Sequence, residues 1–227
     1  MKKNLTAAIF DLDGLIIDSE AFYAKAWSDA FNSNSLKEHN VDEPIMIEWF
    51  YNNLSGKKIG QLLDDIQKQY KYNDIPKIYK EYRKLFKERL ETDSISVKEG
   101  FFDLINYLKS KGIRLAIAST SNAETIRKTL TNANIDYLIF DVIISGDMQV
   151  EYKPSPEPYL KACEILNVSP QNAIAFEDSE SGLLSATNAQ IDCFLIPGRA
   201  PVSENAKKSA YLVCNNLADT ISIIENM

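Results

Sequence analysis

Apolar positions follow two regimes along this chain. The first strand signal is the short run Ala7-Ala8-Ile9-Phe10, apolar at every position, which reads as a buried strand. It stops at Asp11 and Asp13, and Gly14 follows at once. The next stretch has helical spacing only. Ser19 suits an N-cap for a helix from Glu20 to about Asn32 carrying Phe22, Trp27, Ala30 and Phe31. Pro44 suits the first turn of a second helix, running to Leu54 and broken by Ser55-Gly56. A third runs from Ile59 to about Tyr70, and Pro76 opens a charged fourth to about Leu90. No strand signal occurs between Asp18 and Asp93.

From Val97 onward strands and helices alternate. Phe101 to Lys111 reads as a helix stopped by Gly112. Arg114 to Ala118 is a strand ending at Ser119, Ala123 to Thr131 a helix, and Val142 to Ile144 a strand ending at Ser145. Pro156 to Leu166 is a helix, Asn172 to Phe176 a strand ending at Glu177-Asp178, and Ser179 to Asn188 a helix. Cys193 to Ile196, a short helix near Ser203, an edge strand at Tyr211 to Val213 and a helix from Leu217 to Glu225 complete the pattern. Strands alternating with helices of this length predict an α/β fold: a doubly wound, Rossmann-like parallel sheet covered on both faces. The all-helical stretch is an insertion straight after the first strand. The expected division is a core of residues 1–15 and 95–227 and a helical cap of residues 16–94.

Composition narrows the function classes. With 227 residues and 45% hydrophobic content the chain can build a sizeable core. A net charge of −7, from 32 acidic and 25 basic residues, argues against nucleic acid or an anionic membrane as a partner. Cys163, Cys193 and Cys214 are an odd number, widely spaced, without a CxxC pair. They read as small buried thiols in a reducing compartment. The amino-terminal apolar run is too short for a signal-peptide core. No stretch approaches the roughly 20 apolar residues of a spanning helix. A cytoplasmic monomer without a membrane partner is the expectation.

The chemistry lies at the strand ends. Asp11 and Asp13, Ser119, Lys153 in a loop after its strand, and Glu177 with Asp178 all fall there. In a parallel sheet these ends share one edge, where ligands bind. Four carboxylates do not share a small pocket as anions without a cation among them. The donors are all oxygens, with no His or Cys, which favours Mg²⁺ as a cofactor held by Asp11, Asp13, Glu177 and Asp178. Asp11 reads as a nucleophile, since a carboxylate is ionised at neutral pH without an activating base. Asp13 reads as its acid/base partner. Lys153 balances charge on a transferring phosphoryl group. Ser119, Thr120, Ser121 and Asn122 offer hydroxyls and backbone N–H groups at a helix N-terminus, an anion site.

The DLDG of Asp11 to Gly14, Ser119 in AIASTSN, Lys153 in KPSPEPY and Glu177-Asp178 in FEDSESG together resemble the four motifs of the haloacid dehalogenase superfamily. The branch it resembles carries a helical cap after the first strand, like β-phosphoglucomutase and sugar-phosphate phosphatases. The resemblance implies that Asp11 accepts the phosphoryl group and that Asp13 is the acid/base and lends its backbone carbonyl to Mg²⁺. It also implies that Ser119 and Lys153 hold phosphate, and that Asp178, with Glu177, completes the metal site. Dehalogenases proper lack the second aspartate, so Asp13 argues against C–halogen hydrolysis. Three positions depart from the mutase pattern: Tyr23 stands where the mutase cap has His, Ile59 where its loop has Arg, and Tyr152 where Gly is usual before the lysine. Lys57 or Lys58 supplies a point charge at best, not a bidentate fork. The implied activity is Mg²⁺-dependent hydrolysis of a small phosphorylated metabolite, a sugar phosphate, through an aspartyl-phosphate. A phosphosugar mutase is the alternative. A phospho-accepting signalling module is a third reading, and the helical insert and Asp13 speak against it.

Overall fold

A computed structural model of the chain describes residues 4–33, 48–49, 59–70, 74–198 and 201–227. The helix expected to start at Pro44, the residues Lys57 and Lys58, and the side chain of Ile59 lie outside the described residues. Six strands form one sheet: β1 (Ala7–Phe10), β2 (Arg114–Ala118), β3 (Val142–Ile144), β4 (Ala173–Glu177), β5 (Asp192–Leu195) and β6 (Leu212–Val213). Their spatial order is β3-β2-β1-β4-β5-β6, and every pair is parallel. This doubly wound order reverses direction beside β1, the switch point where such sheets open a crevice at their carboxyl edge.

The alternation of side chains along each strand divides the core in two. Ala8, Phe10, Leu115, Ile117, Ile174, Phe176 and Phe194 face one layer of buried residues. Ala7, Ile9, Ala116, Ala118, Ala173, Ala175 and Cys193 face the other. The first face is bulky. Phe10, Phe176 and Phe194 lie side by side in register and stack at 4.6 and 5.4 Å between ring centroids. Each fully buried ring contributes about 1.5–3 kcal/mol. Helices α4 (Phe101–Ser110), α5 (Ala123–Asn132) and α9 (Asp219–Ile224) cover this face. The second face is built of small residues, so α6 (Glu157–Leu166), α7 (Glu180–Asn188) and the short α8 (Glu204–Lys207) approach it closely.

Between β1 and α4 the described residues contain α1 (Ser19–Phe31), α2 (Ile59–Tyr70) and α3 (Ile75–Thr92). These helices bury a hydrophobic cluster of their own around Trp27, Phe31, Leu62, Ile66 and Ile78. The Trp27 ring stacks on Tyr82 at 4.0 Å. Chain exit and return run side by side: Asp18 N–H donates to the Ser96 carbonyl at 2.9 Å and Lys98 N–H to the Ile16 carbonyl at 2.8 Å.

Several element ends differ from expectation. Ser19 is the first residue of α1 and Asp18 is its N-cap, because the Asp18 N–H is held by the returning chain. β4 begins at Ala173 and includes Glu177, since Pro170–Asn172 forms a separate 3₁₀ turn. β5 spans Asp192–Leu195.

Candidate active site

Asp11 is delivered by the ladder itself. Its N–H donates to the Phe176 carbonyl at 3.0 Å, one step beyond the Phe10–Phe176 register pair. Continuing the alternation, Asp11 falls in phase with Ala7 and Ile9, and Glu177 with Ala173 and Ala175, so both carboxylates belong to the small-residue face. Lys153, from the segment leading into α6, meets them there. Its Nζ donates to Asp11 Oδ1 at 2.6 Å and to Glu177 Oε1 at 2.5 Å. The lysine side chain is 4% exposed and the glutamate side chain 0%. Tyr159, also fully buried, donates its hydroxyl to the same Glu177 oxygen at 2.6 Å, and its ring centroid lies 5.3 Å from Lys153 Nζ. The Ser179 hydroxyl donates to Glu177 Oε2 at 3.3 Å.

Two glycines make room for these acids. Gly182 of α7 passes so close that a Cβ there collides with the Glu177 carboxylate. Gly14 has φ of +89°, and a Cβ there collides with the Asp178 carboxylate.

Asp13 occupies a different setting. Its Oδ2 accepts from the Ser121 hydroxyl at 2.9 Å and from the Ser119 hydroxyl at 3.5 Å, and its Oδ1 accepts from the Tyr23 hydroxyl at 3.3 Å. Tyr23 comes from α1, so both the sheet edge and the helical insertion reach this carboxylate. The Tyr23 ring stacks on Phe86 of α3 at 5.0 Å. Ser119 Oγ in turn accepts from the Ser121 N–H at 3.1 Å. Thr120 is exposed. The Asn122 side chain caps α5, accepting from the Thr125 N–H at 2.9 Å.

The electrostatics follow from burial. The Asp11 carboxyl is pushed up to about 7, first by burial and then by Glu177 and Asp13, with Lys153 opposing. Asp178 is pushed well above the ordinary carboxylate range by burial, then by Asp11 and Glu177. Burial alone works to lower Lys153, but the two carboxylates outweigh it and hold the ammonium above its ordinary value. Burial and then Asp13 raise the Tyr23 phenol, so it stays a neutral donor. Burial and then Glu177 do the same to Tyr159.

Among the described residues Lys153 alone pairs with these acids, and its single charge does not neutralise three of them. Asp11, Glu177 and Asp178 each offer a carboxylate oxygen, all within 4.8 Å of one another. Among the described residues no hydrogen bond reaches the Asp178 carboxylate. An all-oxygen donor set that is short of positive charge fits a hard divalent cation. The Asp13 carboxylate is not part of this triad; its partners are hydroxyls.

The expected residues Asp11, Asp13, Ser119, Ser121, Lys153, Glu177 and Asp178 thus converge at the carboxyl edge of the sheet. Sequence reasoning missed Tyr159 and Ser179.

The fold and this constellation define a hydrolase class. The chain belongs to the haloacid dehalogenase-like hydrolase family, whose profile matches residues 8–196. It is 30% identical over 207 residues to the protein CbbY of Cereibacter sphaeroides, covering 86% of this chain and 85% of that one. It is 28% identical over 188 residues to a phosphorylated carbohydrates phosphatase of Thermotoga maritima, covering 83% of each chain. A crystal structure of a CbbY variant from Rhodobacter sphaeroides in complex with xylulose-(1,5)bisphosphate superposes with a TM-score of 0.73 at 27% identity, covering 95% of this chain and 96% of that one. Among the described residues no helix is long and apolar enough to cross a membrane.

Proposed function

We propose that the chain is a phosphatase that hydrolyses a small phosphorylated metabolite, a sugar phosphate, through an aspartyl-phosphate on Asp11. The observation that carries the reading is the pairing of Asp11 with the buried Lys153 beside a second carboxyl, Asp13, held separately by hydroxyls. The named phosphatase among its relatives supports the same class.

In the first step an Asp11 oxygen attacks phosphorus while the bond to the ester oxygen breaks. Asp13 gives its proton to that leaving oxygen. In the second step Asp13 takes a proton from water, whose oxygen attacks phosphorus. The bond to Asp11 breaks, inorganic phosphate leaves, and Asp11 is restored. Hydroxyl partners suit a group that must carry and lose a proton, because an O–H rotates to donate or accept. Lys153 gives up part of its bond to Asp11 and turns its charge to the phosphoryl oxygens. Ser119 and Ser121 lie beside this point and orient the phosphate. Asp11, Glu177 and Asp178 are the residues that would hold Mg²⁺, with the Asp13 backbone carbonyl. Mg²⁺ supplies charge stabilisation on the transferring group and lets the three acids ionise together.

Residues 16–94 act in this reading as a cap that closes over the site and excludes water. Tyr23 places an uncharged hydroxyl at Asp13, which favours hydrolysis over a mutase that must grip a second phosphate. Phosphate release from a panel of phosphorylated sugars and nucleotides, with EDTA or MgCl₂, tests the proposal. Metal-dependent release from a sugar phosphate is expected. Isomerisation without release, or release unaffected by EDTA, refutes it.

A further inference from the structure

Lys153 has two obligations in this site. Its ammonium is bonded to Asp11 Oδ1 and to Glu177 Oε1. When Asp11 receives a phosphoryl group the first bond must loosen, and the ammonium has to stay over the site. Glu177 is the partner that remains. Tyr159 touches both members of that pair. Its hydroxyl donates to the same Oε1 at 2.6 Å, and its ring face bounds the ammonium at 5.3 Å. Tyr159 stands in the first turn of α6, six positions beyond Lys153 on the same connecting segment. A buried tyrosine ordinarily satisfies its hydroxyl on a neutral carbonyl. Here the acceptor is a fully buried carboxylate that also serves a lysine.

We propose that Tyr159 is a positioning residue for Lys153: its hydroxyl fixes Glu177 Oε1 and its ring limits the ammonium, so that Lys153 pivots about Glu177 toward a bound phosphoryl group. The inference rests on the reading of Lys153 as a phosphate holder. Without the hydroxyl, Glu177 Oε1 is free to shift and the lysine settles on Asp11. A charge-assisted hydrogen bond of this kind carries about a tenfold effect or more. A purely structural tyrosine would affect stability alone.

The test is inorganic phosphate affinity by calorimetry in MgCl₂, with kcat measured alongside. Tyr159→Phe keeps the ring and is expected to weaken phosphate binding about tenfold or more and to lower kcat. In a Lys153→Met background the same substitution is expected to change phosphate affinity by less than about twofold, since the group it acts through is gone. An affinity within twofold of wild type, or an equal loss in the Lys153→Met background, overturns the proposal. Tyr159→Met, which also lacks the hydroxyl, is read by the same criteria if the phenylalanine variant does not fold. A wild-type chain whose phosphate affinity is unchanged by Lys153→Met overturns the reading of Lys153 itself, and this inference with it.

Discussion

Lys153→Met removes the ammonium that, among the described residues, holds the buried acids together. The lysine side chain is 4% exposed, and its bonds to Asp11 and Glu177 are 2.6 and 2.5 Å long. Removing one member of a buried ion pair costs about 3–5 kcal/mol, because the other charge is left uncompensated. That cost depends on pH. Asp11 is already raised from 3.8 to about 7, first by burial. Loss of Lys153, which opposes that shift, raises it further. At about pH 5.5 the carboxyl takes a proton and escapes part of the penalty. At about pH 8 it either ionises beside Glu177 and Asp178 or keeps a proton that the unfolded chain has lost, and both cost stability, so the penalty is larger. Urea denaturation in EDTA should therefore show a loss at the upper end of that range at the higher pH and a smaller loss at the lower. Turnover should fall about 10²–10³-fold, as for removal of one charged transition-state donor. A loss below about 1 kcal/mol, or one independent of pH, refutes the reasoning.

Three further outcomes follow from the same geometry. Because the folded Asp11 carboxyl is raised, its contribution to stability is present below about pH 4 and lost as pH rises through about 7; Tm of the metal-free protein should fall between about pH 5.5 and 8, and the rise in Tm on adding MgCl₂ should grow over that range, whereas a metal shift greatest at the lower pH contradicts the site. Gly182→Ala places a Cβ against the Glu177 carboxylate and should cost about 1–3 kcal/mol in urea, with reduced turnover; a neutral result means the carboxylate has room to move. Tyr23→Phe removes the donor on Asp13 Oδ1 and should lower kcat about 3–10-fold with little change in Tm; an unchanged kcat removes Tyr23 from the account.

Much of the fold was legible in the sequence because its signals are local. The uninterrupted apolar run of β1, the helix stop at Gly112 and the strand-helix alternation after Val97 all appear as expected. Once the sheet is parallel, the convergence of Asp11, Ser119, Lys153 and Glu177 follows from topology alone. What was not legible depends on contacts between distant segments. Ser19 looked like the cap of α1, but the returning Ser96 carbonyl takes the Asp18 N–H and sets the boundary one residue earlier. Tyr159 carries no local signal, because its partner Glu177 stands 18 residues further on. The crowding of acids at one sheet edge was readable, but only Asp11, Glu177 and Asp178 cluster, not the expected four. That Lys153 sits between two of them, while Asp13 is set apart among hydroxyls, required the three-dimensional arrangement.

The central claim is covalent chemistry at Asp11, and single-turnover trapping tests it most directly. Wild-type protein mixed with a ³²P-labelled sugar phosphate that it turns over, then acid-quenched, should carry label released by hydroxylamine, as an acyl phosphate requires. Asp11→Asn should carry none and should release no phosphate. Label of equal amount on Asp11→Asn, or full phosphate release by that variant, would contradict the account.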